Sequence, residues 1–101
     1  MKVIKRDNSV VEFDKNKIAT AIKKANEALE FEKDRATDAQ INEIVDEIAS
    51  LHRRRILVED IQDMVEEKLM KLQKFQLMKE YILYRYERAL IRKANSTDES
   101  I

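Results

Sequence analysis

Lys5, Arg6 and Lys17 have the types and the spacing to hold an anion. They fall within Met1-Lys-Val-Ile-Lys-Arg-Asp-Asn-Ser-Val-Val-Glu-Phe-Asp14-Lys-Asn-Lys17-Ile18-Ala-Thr-Ala-Ile22. Two β-type runs flank Asp7-Asn8 there, and a helix with an N-cap signal follows at once. A polyphosphate suits such a unit. The arginine offers a planar fork, the lysines offer point charges, and the first N–H groups of a helix add donors to the same oxygens. The same cations also fit an ordinary solvated surface. Spacing alone leaves both readings open.

The elements that would position these residues follow from local rules. Val3 and Lys5 share one face of the first strand, and Ile4 and Arg6 the other. Val10, Val11 and Phe13 supply β-branched and aromatic content to the second. Asp7-Asn8 predicts a two-residue hairpin turn, with strain at Asn8 where glycine is the usual choice. Asp14 caps a helix whose apolar residues Ile18, Ala21, Ile22, Ala25 and Leu29 recur at helical spacing. Glu30 to Arg35 is a charged break. Thr37 with Gln40 reads as a capping box. The helix behind it carries Ile41, Ile44, Val45, Ile48 and Leu51 on one face and ends in the basic run His52 to Arg55.

Ile56-Leu57-Val58 reads as a third strand joining the hairpin. Glu59 and Asp60 then place carboxylates in the first turn of a third helix, where the dipole favours them. Its core face is Ile61, Met64, Val65, Leu69 and Leu72. A turn is expected from Leu72 to Lys74, although Gln73 stands where glycine would be easier. The last helix is expected from about Gln76 to Lys93. One of its faces holds Leu77, Tyr81, Tyr84 and Arg88, and another Met78, Ile82, Ala89 and Leu90. Residues 94–101 are expected to form a flexible tail. The predicted fold class is α+β: a small three-stranded sheet, made of the N-terminal hairpin and one short strand, packed on about four helices.

Composition removes several functions. The 101 residues make one domain with a modest core. There is no cysteine, so no disulfide, thiolate metal site or thiol nucleophile can form, and His52 is the single imidazole. No signal peptide or membrane-length apolar run is visible, which predicts a cytoplasmic location. There is no Walker-type glycine loop, and the chain has neither Gly nor Pro. No catalytic constellation is present, so binding without turnover is expected.

Forty per cent of the residues are charged, yet the formal net charge is zero. Residues 1–24 carry seven Lys/Arg against three Asp/Glu, residues 25–70 six against thirteen, and residues 71–101 seven against four. If the two basic ends meet, they form a local cationic site. Such a site suits a compact anion better than a nucleic-acid duplex, and Arg53-Arg54-Arg55 reads as a solvated turn.

Three segments in order carry a resemblance: the opening Lys-Val-Ile-Lys-Arg-Asp run, Ile56-Leu57-Val58-Glu59-Asp60-Ile61-Gln62, and Tyr81-Ile82-Leu83-Tyr84-Arg85. Together they resemble the ATP-cone, a regulatory nucleotide-binding domain of ribonucleotide reductases, over about residues 2–93. The tail from Arg92 resembles the junction into the catalytic domain of anaerobic reductases. The resemblance implies ATP or dATP as allosteric ligand, with Mg²⁺ only as the nucleotide's companion ion, and dATP favouring an inhibited state. It implies that Val3 lines base and sugar. Lys5, Arg6 and Lys17 would reach phosphates, and Asp14, Val58 and Gln62 would stand beside the nucleotide. Tyr84 would lie against the base, and Arg88 would be a further phosphate cation. The catalytic domain of a parent reductase and a second copy of the chain are the implied protein partners. Two other readings remain: the ATP-cone of a repressor of reductase genes, or a helical protein-interaction module without a ligand.

Overall fold

The computed structural model describes residues 1–99, with side chains through residue 94. β1 (Lys2–Ile4) forms the centre of a three-stranded sheet of order β2-β1-β3. β2 (Val10–Glu12) pairs with it antiparallel and β3 (Arg55–Leu57) parallel. Val3 faces Val11 on one side and Ile56 on the other, and both Val3 and Ile56 are buried. A short sheet buried at its midpoint can rest on helices through these apolar residues.

The hairpin forms where expected, with a different loop. Lys5 donates its N–H to the Ser9 carbonyl at 2.8 Å, and the Lys5 carbonyl accepts from the Asn8 N–H at 2.9 Å. The loop is therefore Arg6-Asp7-Asn8, three residues and not two, with Asn8 in the left-handed region at φ 69°. Asp7 braces it by accepting from both the N–H and the hydroxyl of Ser9, at 2.9 and 2.6 Å. These bonds, the hydroxyl's first, hold the Asp7 carboxyl below the ordinary carboxylate range.

Asp14 caps α1 (Lys15–Glu27), accepting from the Asn16 N–H at 2.9 Å. A 3-10 turn at Glu32–Asp34 occupies the charged break. The break is closed by Asn26, whose amide bonds both the carbonyl and the N–H of Ala36, at 2.9 and 3.1 Å. The capping box opens α2 (Asp38–Ala49): Thr37 Oγ1 accepts from the Gln40 N–H, and Gln40 Oε1 accepts from the Thr37 N–H. This helix stops at Ala49, so His52 and the arginines lie beyond its last turn, and Arg55 belongs to β3. The third strand sits one residue earlier than predicted, because Val58 already has helical backbone and opens α3 (Val58–Lys71).

The end of α3 is set by Gln73 at φ 58°. Its N–H bonds the Met70 carbonyl, and the Lys74 N–H reaches back to Leu69, which satisfies the last carbonyls of the helix. α4 (Phe75–Glu99) continues past the end expected at Lys93, since nothing between Ala94 and Glu99 breaks a helix. The rest of the expected tail, residues 100 and 101, lies outside the described residues.

α1 packs against α2 and α4, and α3 against α2 and α4, closing a four-helix arrangement. One core joins Ile22, Ile41, Ile48, Val65, Leu69 and Leu77 to the sheet residues Val3 and Ile56. Leu72 is half-exposed at the α3 cap, where the chain has already turned away from the core. The second face predicted for α4 is covered only in part: Met78 packs against the core, and the rest of that face is more open. Ile82 and Leu90 are exposed, as are Leu83, Tyr86 and Ile91.

Candidate functional site

The two basic ends of the chain meet on one glutamine of the acidic middle. Arg6, the first residue of the hairpin loop, donates Nη2 to Gln62 Oε1 at 3.4 Å. Its Nε lies 3.3 Å from Glu59 Oε1. Arg85 of α4 donates Nη1 to the same Gln62 oxygen at 3.1 Å and Nε to Glu66 Oε1 at 3.1 Å. A continuous polar path therefore runs from the hairpin loop across the start of α3 to α4. Half of the Arg6 side chain is exposed, whereas that of Arg85 is 26% exposed and that of Glu66 19%. The outer contacts are thus open to exchange, and the inner pair is fixed.

Tyr81 lies at the inner end of this path. It is 4% exposed. Burial pushes its phenol up to about 12; the Glu66 charge adds to this and the Arg85 charge opposes it.

The start of α3 can receive an anion. Its cap residue, Leu57, offers no side-chain bond to the first N–H groups, so these remain available as donors. Glu59 and Asp60 in the first turn oppose an incoming negative charge, and Glu59 is already paired with Arg6. The α1 start is different, because the Asp14 carboxylate already accepts from the Asn16 N–H there. Arg6 thus converges on the α3 start, not on the helix that follows the hairpin.

Of the expected ligand positions, Arg6 and Gln62 touch, and Val58 opens the same helix. The side chains of Lys5 and Lys17 are exposed and enter no hydrogen bond or ion pair among the described residues, although the Lys5 charge acts on Asp7. Tyr84 is half-buried on α4. Arg88 is exposed and, among the described residues, has no hydrogen-bond or ion-pair partner. The Val3 side chain is buried in the core. Glu59, Glu66 and Arg85 join the site in the structure without standing among the ligand positions expected from the sequence. The signal was the spacing of Gln62 and Glu66, one helical turn apart, opposite the arginine that ends Tyr81-Ile82-Leu83-Tyr84-Arg85.

A recess of about 330 Å³ between α2 and α3, walled by Ile48, Leu51, Met64 and Lys68 among others, contains none of the expected ligand positions. Among the described residues, no group of three or more His, Cys, Asp or Glu could hold a metal ion, and no helix is long and apolar enough to cross a membrane.

The ATP cone domain family matches residues 1–90. The chain belongs to the ATP-cone family. Among its relatives, the anaerobic ribonucleoside-triphosphate reductase of Haemophilus influenzae is 37% identical over 94 residues, which cover 93% of this chain and 13% of that protein. The ribonucleoside-diphosphate reductase subunit alpha of Chlamydia trachomatis is 33% identical over 99% of this chain and 10% of its own length. The vitamin B12-dependent ribonucleoside-diphosphate reductase of Thermoplasma acidophilum is 39% identical over 89% of this chain and 12% of its own. The cone thus spans about an eighth or less of the curated relatives it matches.

Proposed function

We propose that this ATP-cone is an allosteric module that binds ATP or dATP and sets the overall activity of a ribonucleotide reductase, dATP favouring the inhibited state. The observation that carries the reading is the contact between Arg6 and Gln62, 56 residues apart in the chain. Both positions are ones the family resemblance assigns to the ligand. Lys5, Arg6 and Lys17 supply phosphate contacts, with Arg88 as a further cation. Asp14, Val58 and Gln62 stand beside the nucleotide, Val3 lines base and sugar, and Tyr84 lies against the base. Mg²⁺ enters only with the nucleotide's phosphates. The cone binds and does not turn over.

Regulation needs a difference between the two ligands, because equal affinity for two states shifts nothing. ATP and dATP carry the same phosphates, so the difference arises at the ribose and passes through the helix starts nearby. The exposed apolar residues Leu83, Tyr86, Leu90 and Ile91 on α4 give a surface on which a catalytic domain or a second copy can read it. The same surface favours the second reading, a protein-interaction module without a ligand.

Calorimetric titration separates them. Lys5→Ala and Arg6→Ala should each weaken ATP by about 1.5–3 kcal/mol, the range for hydrogen bonds to charged groups. A double variant that binds ATP as tightly as the parent chain would refute the phosphate assignment. Light scattering with saturating ATP and then saturating dATP tests the regulatory part, and identical mass in both would refute it for the chain alone.

A further inference from the structure

Arg85 is a half-buried cation with each of its three nitrogens already bonded inside the fold. Nε and Nη2 both bond Glu66 Oε1, at 3.1 and 2.5 Å, and Nη1 bonds Gln62 Oε1 at 3.1 Å. Gln62 and Glu66 are one turn apart on α3, so a single guanidinium fork spans both. The Gln62 oxygen also accepts from Arg6, at 3.4 Å. A carbonyl oxygen has two lone pairs, and two arginines occupy them. Turning the amide over would set its NH₂ against two guanidinium groups, donor against donor, so the orientation is fixed by chemistry.

What remains is the Gln62 NH₂. It has no hydrogen bond among the described residues, and among them no buried side-chain nitrogen or oxygen lacks a partner, so this nitrogen reaches solvent. It stands at the α3 start beside the Arg6 fork, where the first N–H groups of the helix are also uncapped.

We propose that Arg85 is a positioning residue for the nucleotide site: it makes Gln62 purely a hydrogen-bond donor, aimed at an acceptor oxygen of the ligand. The inference rests on the nucleotide-binding reading above and deepens it. Arg85 does not bind phosphate itself. It decides which end of Gln62 the ligand meets, so a ligand group that only donates is rejected at this point. A ribose 2′-oxygen and a phosphate oxygen both meet the requirement. dATP lacks the first and keeps the second.

The test uses ¹⁵N-labelled chain and calorimetry on Gln62→Met, Arg85→Met, Arg85→Lys and the Gln62→Met, Arg85→Met double variant. The side-chain amide signal of Gln62 is assigned by its loss in Gln62→Met. Without nucleotide, that signal should move in both Arg85 variants while the Gln40 amide, held in its capping box, stays in place. Arg85→Lys keeps a cation beside Glu66 should the methionine variant fail to fold, and its single ammonium cannot span both partners.

Each single methionine variant should bind ATP about fivefold more weakly, the equivalent of one neutral hydrogen bond. The double variant should be no weaker than the weaker single, because both remove the same contact. A loss confined to ATP assigns the 2′-oxygen, and an equal loss for dATP assigns a phosphate oxygen; either supports the proposal. An unmoved Gln62 amide, parent-like affinity in both Arg85 variants, or losses that multiply in the double variant would overturn it. A parent chain that binds neither nucleotide refutes the functional reading and the ligand named here, whereas a moved amide would still assign Arg85 its positioning role.

Discussion

Raising the pH should unfold this domain partly through one phenol. Tyr81 is 4% exposed, at the inner end of the path that fixes Gln62, and burial pushes its pKa from 10.0 up to about 12. A tyrosine is neutral when protonated, so burial favours the protonated form. In the unfolded chain the phenol ionises near pH 10, about two units before it does in the fold. Its contribution is therefore fully present below pH 10 and is lost as the pH climbs toward 12. At about 1.4 kcal/mol per unit, the loss reaches about 1.4 kcal/mol at pH 11 and between 2 and 3 kcal/mol, roughly, by pH 12.

Tyr81→Phe keeps the ring in the core and removes the titration. The hydroxyl has no hydrogen-bond partner among the described residues, so the change at neutral pH should be small. Urea unfolding of both chains at pH 8, 10, 11 and 12 isolates the effect, since lysine deprotonation is common to both. The variant should gain on the parent by the amounts above as pH rises. Parallel losses in the two chains up to pH 12 would mean that the phenol is not desolvated as the fold implies.

Gln73→Gly should stabilise the domain by about 0.5–1 kcal/mol in urea unfolding, because it removes a side chain from a left-handed position at modest entropic cost. Thr37→Ala should cost about 1 kcal/mol through the loss of the capping box, read as a lower urea midpoint at unchanged slope. At the start of α1, Asp14→Ala should cost a similar amount and Asp14→Asn should stay within about 0.5 kcal/mol, since asparagine can accept the same Asn16 N–H.

Features that depend only on neighbours along the chain are legible in the residues alone. Asp14 and Thr37 announce their helices because a cap needs only a side-chain oxygen and the next few N–H groups. The apolar periods of α1, α2 and α3 mark the buried faces, and Ile22, Ile41 and Val65 are buried accordingly. Asn8 and Gln73 take left-handed backbone where the turns fall. The family was legible too, because its motifs are short local runs in a fixed order.

Tertiary structure decided the rest. An alternating pattern at Asp7-Asn8 does not distinguish a two-residue loop from a three-residue one, and the difference places Arg6 in the loop itself. Periodicity says that Met78, Ile82 and Leu90 share a face of α4, but not how far a neighbour covers it; here Met78 packs against the core while Ile82 and Leu90 stay exposed. Nor does it say which arginine of α4 turns inward. Arg85 meets Gln62 and Glu66 while Arg88 stays in water, because the choice depends on how α3 and α4 are rotated and shifted against each other. That alignment is set by the whole core, from Leu69 and Leu77 to the sheet, and no local run of residues encodes it.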